Sequence, residues 1–137
     1  VYCPVLGEHG EHVVPVFSRA TVGGDPVEFS KPEREDILEY VRDVPYDVLK
    51  LRGASDSSRW VTARGIASIV RRLEDGLADA PVCLSTPLSG EYGFEGISLS
   101  VPVRLGEDGV ASIIEWDLTD EERTALEDAY HAVRTVE

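Results

Sequence analysis

The chain has 137 residues, 42% of them hydrophobic, which suits one domain with its own core and is too short for two. Acidic residues outnumber basic ones 26 to 13, a formal charge of −13 that disfavours binding to nucleic acid or to an anionic membrane surface. No apolar run approaches the roughly 20 residues of a transmembrane helix, and Glu8, His9 and Glu11 break the first apolar stretch sooner than a secretory leader would allow.

Lysine occurs only at Lys31 and Lys50, so arginine carries most of the positive charge. An acidic, arginine-over-lysine surface around an ordinary core is expected in concentrated salt, where self-repulsion is screened within a few ångströms. An acidic protein adapted to ordinary salt is the alternative. Cys3 and Cys83 are too few for a disulfide framework or a zinc site. Two buried free thiols in a reducing cytoplasm are expected, with a single bridge between them as the alternative. The chain starts at Val1 and contains no methionine, so it is expected to be a piece of a longer polypeptide.

In chain order, Tyr2 to Leu6 reads as a strand leading into a turn, and Val13 to Val22 as a second strand in which Pro15 marks an edge or an irregularity. Gly23-Gly24-Asp25-Pro26 closes it. Ser30 and Glu33 form a capping box with Pro32 in the first helical turn. Ile37, Val41, Val44, Val48 and Leu51 then give one buried stripe, and Pro45 is expected to break or kink the helix into two pieces. Gly53 ends it, and a polar loop of residues 54–58 follows. A second helix spans Arg59 to Asp75, with Trp60, Ala63, Ala67, Val70 and Leu73 on one face, Gly76 as its stop, and Arg71 and Arg72 opposing its dipole.

The remainder alternates like sheet. Val82-Cys83-Leu84 is a strand and Gly90-Glu91-Tyr92-Gly93 a turn. Ile97, Leu99, Val101, Val103 and Leu105 show strict period two, with Pro102 on the opposite face. Gly106-Glu107-Asp108-Gly109 makes a hairpin, after which Val110, Ser112, Ile114, Trp116 and Leu118 continue the alternation. Thr119 and Glu122 form a second capping box, opening a last helix with Leu126, Ala129, Tyr130 and Val133 on its apolar face and His131 towards solvent. Trp60 and Trp116 are expected in core or interface packing. The sum is one α+β domain of antiparallel strands with packed helices, residues 1–137.

The chemistry-bearing feature is Gly7-Glu8-His9-Gly10, a histidine on a glycine-bounded turn after a strand. That placement leaves the ring able to face a cleft, and histidine is the side chain whose ordinary pKa lies nearest neutrality. Without its flanks, His9 reads first as a turn histidine satisfied by backbone bonds. A metal reading of Glu8 to His12 is weaker, because a glycine turn does not set two imidazoles on one helix face. Arg64, Arg71 and Arg72 suggest an anion site, against which Glu74 and Asp75 favour a solvated ion-pair face.

With its flanks, the chain resembles the C-terminal, substrate-side domain of the lactate/malate dehydrogenase family over nearly its whole length. The residues that carry this are Gly7-Glu8-His9-Gly10 with Val14-Pro15-Val16-Phe17-Ser18, Leu49 to Ser55, Trp60 to Ala67, Gly90-Glu91-Tyr92-Gly93 with Val101 to Gly106, and Glu115-Trp116-Asp117-Leu118. The last stretch is similar to malate dehydrogenases of halophiles. The resemblance implies that His9 protonates the carbonyl oxygen of a 2-oxo acid as NADH delivers hydride. It further implies that Ser55 lies beside the substrate and that Thr62 lines the nicotinamide pocket. The implied partners are the 2-oxo or 2-hydroxy acid substrate, a Rossmann half of the same protein that binds NAD, and further subunits of a homo-oligomer meeting through the Arg59–Asp75 helix. Three departures accompany the resemblance. Glu11 and His12 stand where the family usually has aspartate; three residues are inserted between Ser55 and Trp60; and no Gly-x-Gly-x-x-Gly fingerprint, partner aspartate or substrate-clamping arginines are present. A non-catalytic assembly or ligand-binding module that kept the fold is the rival expectation.

Overall fold

The computed structural model describes residues 1–52, 59–74 and 81–135. In chain order the strands and helices are β1 (Val5–Gly7), β2 (Val13–Pro15), β3 (Thr21–Val22), β4 (Asp25–Pro26), α1 (Lys31–Arg52), α2 (Arg59–Glu74), β5 (Val82–Ser89), β6 (Glu95–Gly106), β7 (Gly109–Ile113) and α3 (Asp120–Thr135). The fold is α+β, with every pairing antiparallel.

Strand β6 is the spine of the sheet. One edge pairs with β5 from Val82↔Val103 to Ser89↔Glu95, with a bulge between Pro87 and Ser89. The other edge pairs with β1 at Gly7↔Ser100 and with β7 from Val103↔Ile113 onward. The period-two residues Ile97, Leu99, Val101, Val103 and Leu105 are all buried, and α3 lays Leu126 and Ala129 into the same core. Pro102 is also fully buried, on the opposite face. Its carbonyl accepts from the Ile114 N–H, so its missing N–H faces the same edge, beside β7, and not the β5 ladder.

The Thr119–Glu122 capping box forms in both directions, and at Ser30 the half supplied by the Glu33 carboxylate forms. Ser30 donates its N–H and Oγ–H to Glu33 Oε2 at 2.8 and 2.6 Å. Glu122 N–H donates to Thr119 Oγ1 at 3.2 Å while Thr119 N–H donates to Glu122 Oε2 at 3.0 Å. The Glu122 carboxylate is buried and takes two further bonds, from Ser18 N–H at 2.9 Å and Ser18 Oγ–H at 2.8 Å. A buried carboxylate must be met by hydrogen bonds, and here three donors from two distant segments converge on one side chain.

Several elements depart from the sequence expectations. The strand expected over Val13–Val22 ends at Pro15, gives way to a 3-10 turn at Phe17–Arg19, and resumes as β3 in a small ribbon with β4. Gly23 and Gly24, at φ of +64° and +99°, make its two-residue turn. Helix α1 is not divided at Pro45: one element runs through it, because a proline inside a helix removes only one bond, to Val41, and ordered turns stand on both sides. Strand β7 stops at Ile113, since Trp116 is held elsewhere, donating its N–H to Tyr92 Oη at 2.8 Å under the Arg19 guanidinium, 4.7 Å above its ring. Tyr92 itself sits at φ +54°, its N–H bound to Glu115 at 2.7 Å and its hydroxyl to the Ile114 carbonyl at 3.2 Å. The stripe on α2 is not in the core: Trp60 is 82% exposed, and Val70 and Leu73 are also exposed. Only Ile69 of that helix packs against the core cluster. The α1 stripe is mixed, with Ile37, Val44 and Val48 half-buried and Val41 and Leu51 exposed. No helix among the described residues is long and apolar enough to cross a membrane.

Leu126 is 1% exposed and joins α3 to the sheet. Leu126→Ala is expected to lower unfolding free energy by about 2–5 kcal/mol, measured by urea titration of the wild type and variant.

Candidate active site

The histidine turn is the loop of the β1–β2 hairpin. Val5↔Pro15, Leu6↔Val14 and Gly7↔Val13 pair, and residues 8–12 close the end. Two bonds fasten the loop across its base: Glu8 N–H donates to the His12 carbonyl at 3.3 Å, and His12 N–H donates to Glu8 Oε2 at 3.1 Å. Gly7 is required beneath it. Its φ is +86°, and a Cβ there would stand 2.6 Å from the His12 carbonyl oxygen and 3.4 Å from the Ala129 Cβ of α3. The hairpin therefore rests on the last helix at a distance that only small residues permit.

His9 projects from this loop, exposed, and borders a cleft of about 590 Å³ between β1, the β5–β6 pair and α2. Leu6, Gly7 and Glu8 form one wall, Cys83, Ser85, Ser98 and Ser100 another, and Arg72 reaches in from α2. The site thus joins an imidazole ring, a row of hydroxyls and a cation. No group of three or more histidine, cysteine, aspartate or glutamate side chains among the described residues is arranged to hold a metal ion.

Of the residues singled out from sequence, His9 lies at the cleft. Thr62 is exposed on α2 and is not among the cleft's walls. Ser55 lies outside the described residues. Sequence reasoning took Arg72 for part of a solvated face, and the crossing of α2 over the sheet turns it inward. The serines had a visible signal: Ser98 and Ser100 alternate with Ile97 and Leu99, so one face of β6 is polar opposite its apolar one. His131 is exposed, as expected, and edges against the Tyr130 ring at 5.3 Å.

Cys3 and Cys83 are free thiols, half-buried rather than fully buried, and both border the cleft. Burial pushes both thiols up from their ordinary value. The Glu122 carboxylate adds to the rise at Cys3, and backbone N–H groups of Val16 and Val5 partly offset it at Cys3 and Cys83 respectively. Tyr2, at the same rim, is raised chiefly by burial too.

The family model for the lactate/malate dehydrogenase alpha/beta C-terminal domain matches residues 1–135. Malate dehydrogenase of Halobacterium salinarum is 42% identical over 127 residues, 91% of this chain and 40% of that protein. L-lactate dehydrogenase of Salinibacter ruber is 36% identical over 143 residues, 98% of this chain and 44% of that protein. The structure of malate dehydrogenase from Aeropyrum pernix superposes with a TM-score of 0.89 at 33% identity, covering 99% of this chain and 44% of that one. The chain therefore spans less than half the length of these relatives.

Two outcomes are expected at the site. Gly7→Ala forces a side chain into a left-handed backbone and against the His12 carbonyl, and costs about 1–3 kcal/mol of stability, read by thermal or urea unfolding. A thiol raised in the folded state keeps its proton longer than in the unfolded chain. Its contribution to stability is therefore whole below the ordinary thiol pKa and is lost as pH rises through the folded value. Alkylation of Cys3 and Cys83 at pH 8 is accordingly expected to be slower in the native protein than in urea, with native stability declining as pH climbs past 9.

Proposed function

Since the chain belongs to the lactate/malate dehydrogenase family through its C-terminal domain, we propose that it is the substrate-side half of an NAD-dependent 2-hydroxy acid dehydrogenase, malate-like before lactate-like. The observation that carries this reading is His9 on a braced hairpin loop at the rim of a cleft with hydroxyl and cationic walls. His9 gives a proton to the carbonyl oxygen as the carbon is reduced, and takes the hydroxyl proton in the reverse direction. Neutralising the developing alkoxide in this way is general acid catalysis.

The described residues do not suit a dinucleotide. Among the described residues the sheet is antiparallel throughout and has no glycine-rich strand-to-helix turn, the crevice in which such cofactors lie. A Rossmann half encoded in the remaining length would hold the nicotinamide cofactor, whose reduced form, NADH, would supply the hydride and whose oxidised form would take it back. The exposed apolar faces of α1 and α2, with Tyr40, Trp60 and Val61 outward, suit burial against that half and against a second subunit. Thr62 belongs to the same outward face, which supports its contact with the nicotinamide side, and Ser55 is assigned to the substrate loop. The setting is cytoplasmic.

The test is the full-length protein with NADH and oxaloacetate or pyruvate. His9→Asn is expected to lower kcat by roughly a hundred- to ten-thousandfold with NADH affinity intact. An active His9→Asn enzyme would instead take the proton transfer away from His9, and an inactive wild type would support a module that kept the fold without the chemistry.

A further inference from the structure

The loop that carries His9 has five residues and no ladder bonds of its own, and among the described residues nothing hydrogen-bonds the His9 ring. Within these residues the ring's position is set by the loop backbone alone. What fixes that backbone is Glu8. Its N–H is tied to the His12 carbonyl at 3.3 Å, and its carboxylate reaches back over the loop to the His12 N–H at 3.1 Å. The carboxylate lies directly against Gly10: a Cβ there would meet Oε1 at 2.5 Å and Oε2 at 2.9 Å. Glycine at position 10 is thus explained by the side chain it must admit, since its φ is not in the left-handed range.

We propose that Glu8 is a positioning residue for His9, its carboxylate strapping the 8–12 loop shut so that the imidazole is presented to the cleft in one place. This inference rests on the catalytic reading of His9. A proton donor displaced by an ångström loses most of its advantage while substrate binding is largely kept, because the loss falls on the transition state. The strap needs an acceptor, not a charge. Glutamine at position 8 preserves it, because the amide oxygen accepts the same N–H.

The experiment is steady-state kinetics on the full-length enzyme for Glu8→Ala, Glu8→Gln, Gly10→Ala and the double variant Glu8→Ala/Gly10→Ala. Glu8→Ala is expected to lower kcat by about ten- to a hundredfold, with KM for NADH and for the 2-oxo acid within about threefold of wild type, the separation that marks lost transition-state stabilisation. Glu8→Gln restores most of kcat. Gly10→Ala pushes the carboxylate off its seat and reproduces the Glu8→Ala loss, and the double variant is no worse than either single one. Gly10→Ala also carries the test by itself if Glu8→Ala does not fold. The inference is overturned if Glu8→Ala keeps wild-type kcat, if Glu8→Gln is as impaired as Glu8→Ala, or if the Gly10→Ala and Glu8→Ala losses multiply. His9→Asn separates the two levels. An inactive His9→Asn beside fully active Glu8 variants removes the strap alone, whereas an active His9→Asn removes the catalytic reading beneath it.

Discussion

The close seat of α3 under the β1–β2 hairpin is the constraint on which the other features depend. Gly7 and Ala129 allow the approach, and Leu126 fills the core beside them. The Glu122 carboxylate then fixes how far along the sheet the helix sits, because it caps its own helix and receives both donors of Ser18. Removing any one of these donors would leave a buried charge short of a partner, which costs more than an ordinary hydrogen bond contributes. The hairpin that bears His9 thus has a rigid foot, a helix, and a separately strapped tip.

Away from that foot the character of the molecule changes. Helices α1 and α2 turn tyrosine, tryptophan and aliphatic side chains outward, and their inward contributions are few. The same outer surface carries a charge of −13 across the chain as a whole, and the three ion pairs formed among the described residues are surface pairs of small energetic weight. The core therefore derives its stability from β6 and α3 rather than from electrostatics.

What could be read beforehand follows from how local each cause is. The alternation of Ile97 to Leu105 and the caps at Ser30 and Thr119 are near-neighbour effects, and each formed where the sequence placed it. The irregular run after Pro15 was not legible as such, because the turn at Phe17–Arg19 is drawn out of the sheet by Glu122, more than a hundred residues later. Periodicity showed that α2 has an apolar face, but not whether this chain covers it. The same limit applies at the site. His9 stands out through its glycines and its flanks, which are local. Arg72 becomes a wall of the cleft only through the path of α2 across the sheet, and no spacing in the sequence encodes that path.

The Ser18–Glu122 bond joins residues 104 apart, and Gly7 pairs with Ser100. Contacts so distant along the chain close large loops and form late in folding. On the ribosome, the histidine hairpin emerges long before the strand and helix that support it, and it waits unsupported until α3 has been synthesised. The order of synthesis thus makes the His9 loop one of the last parts of this domain to acquire its final shape.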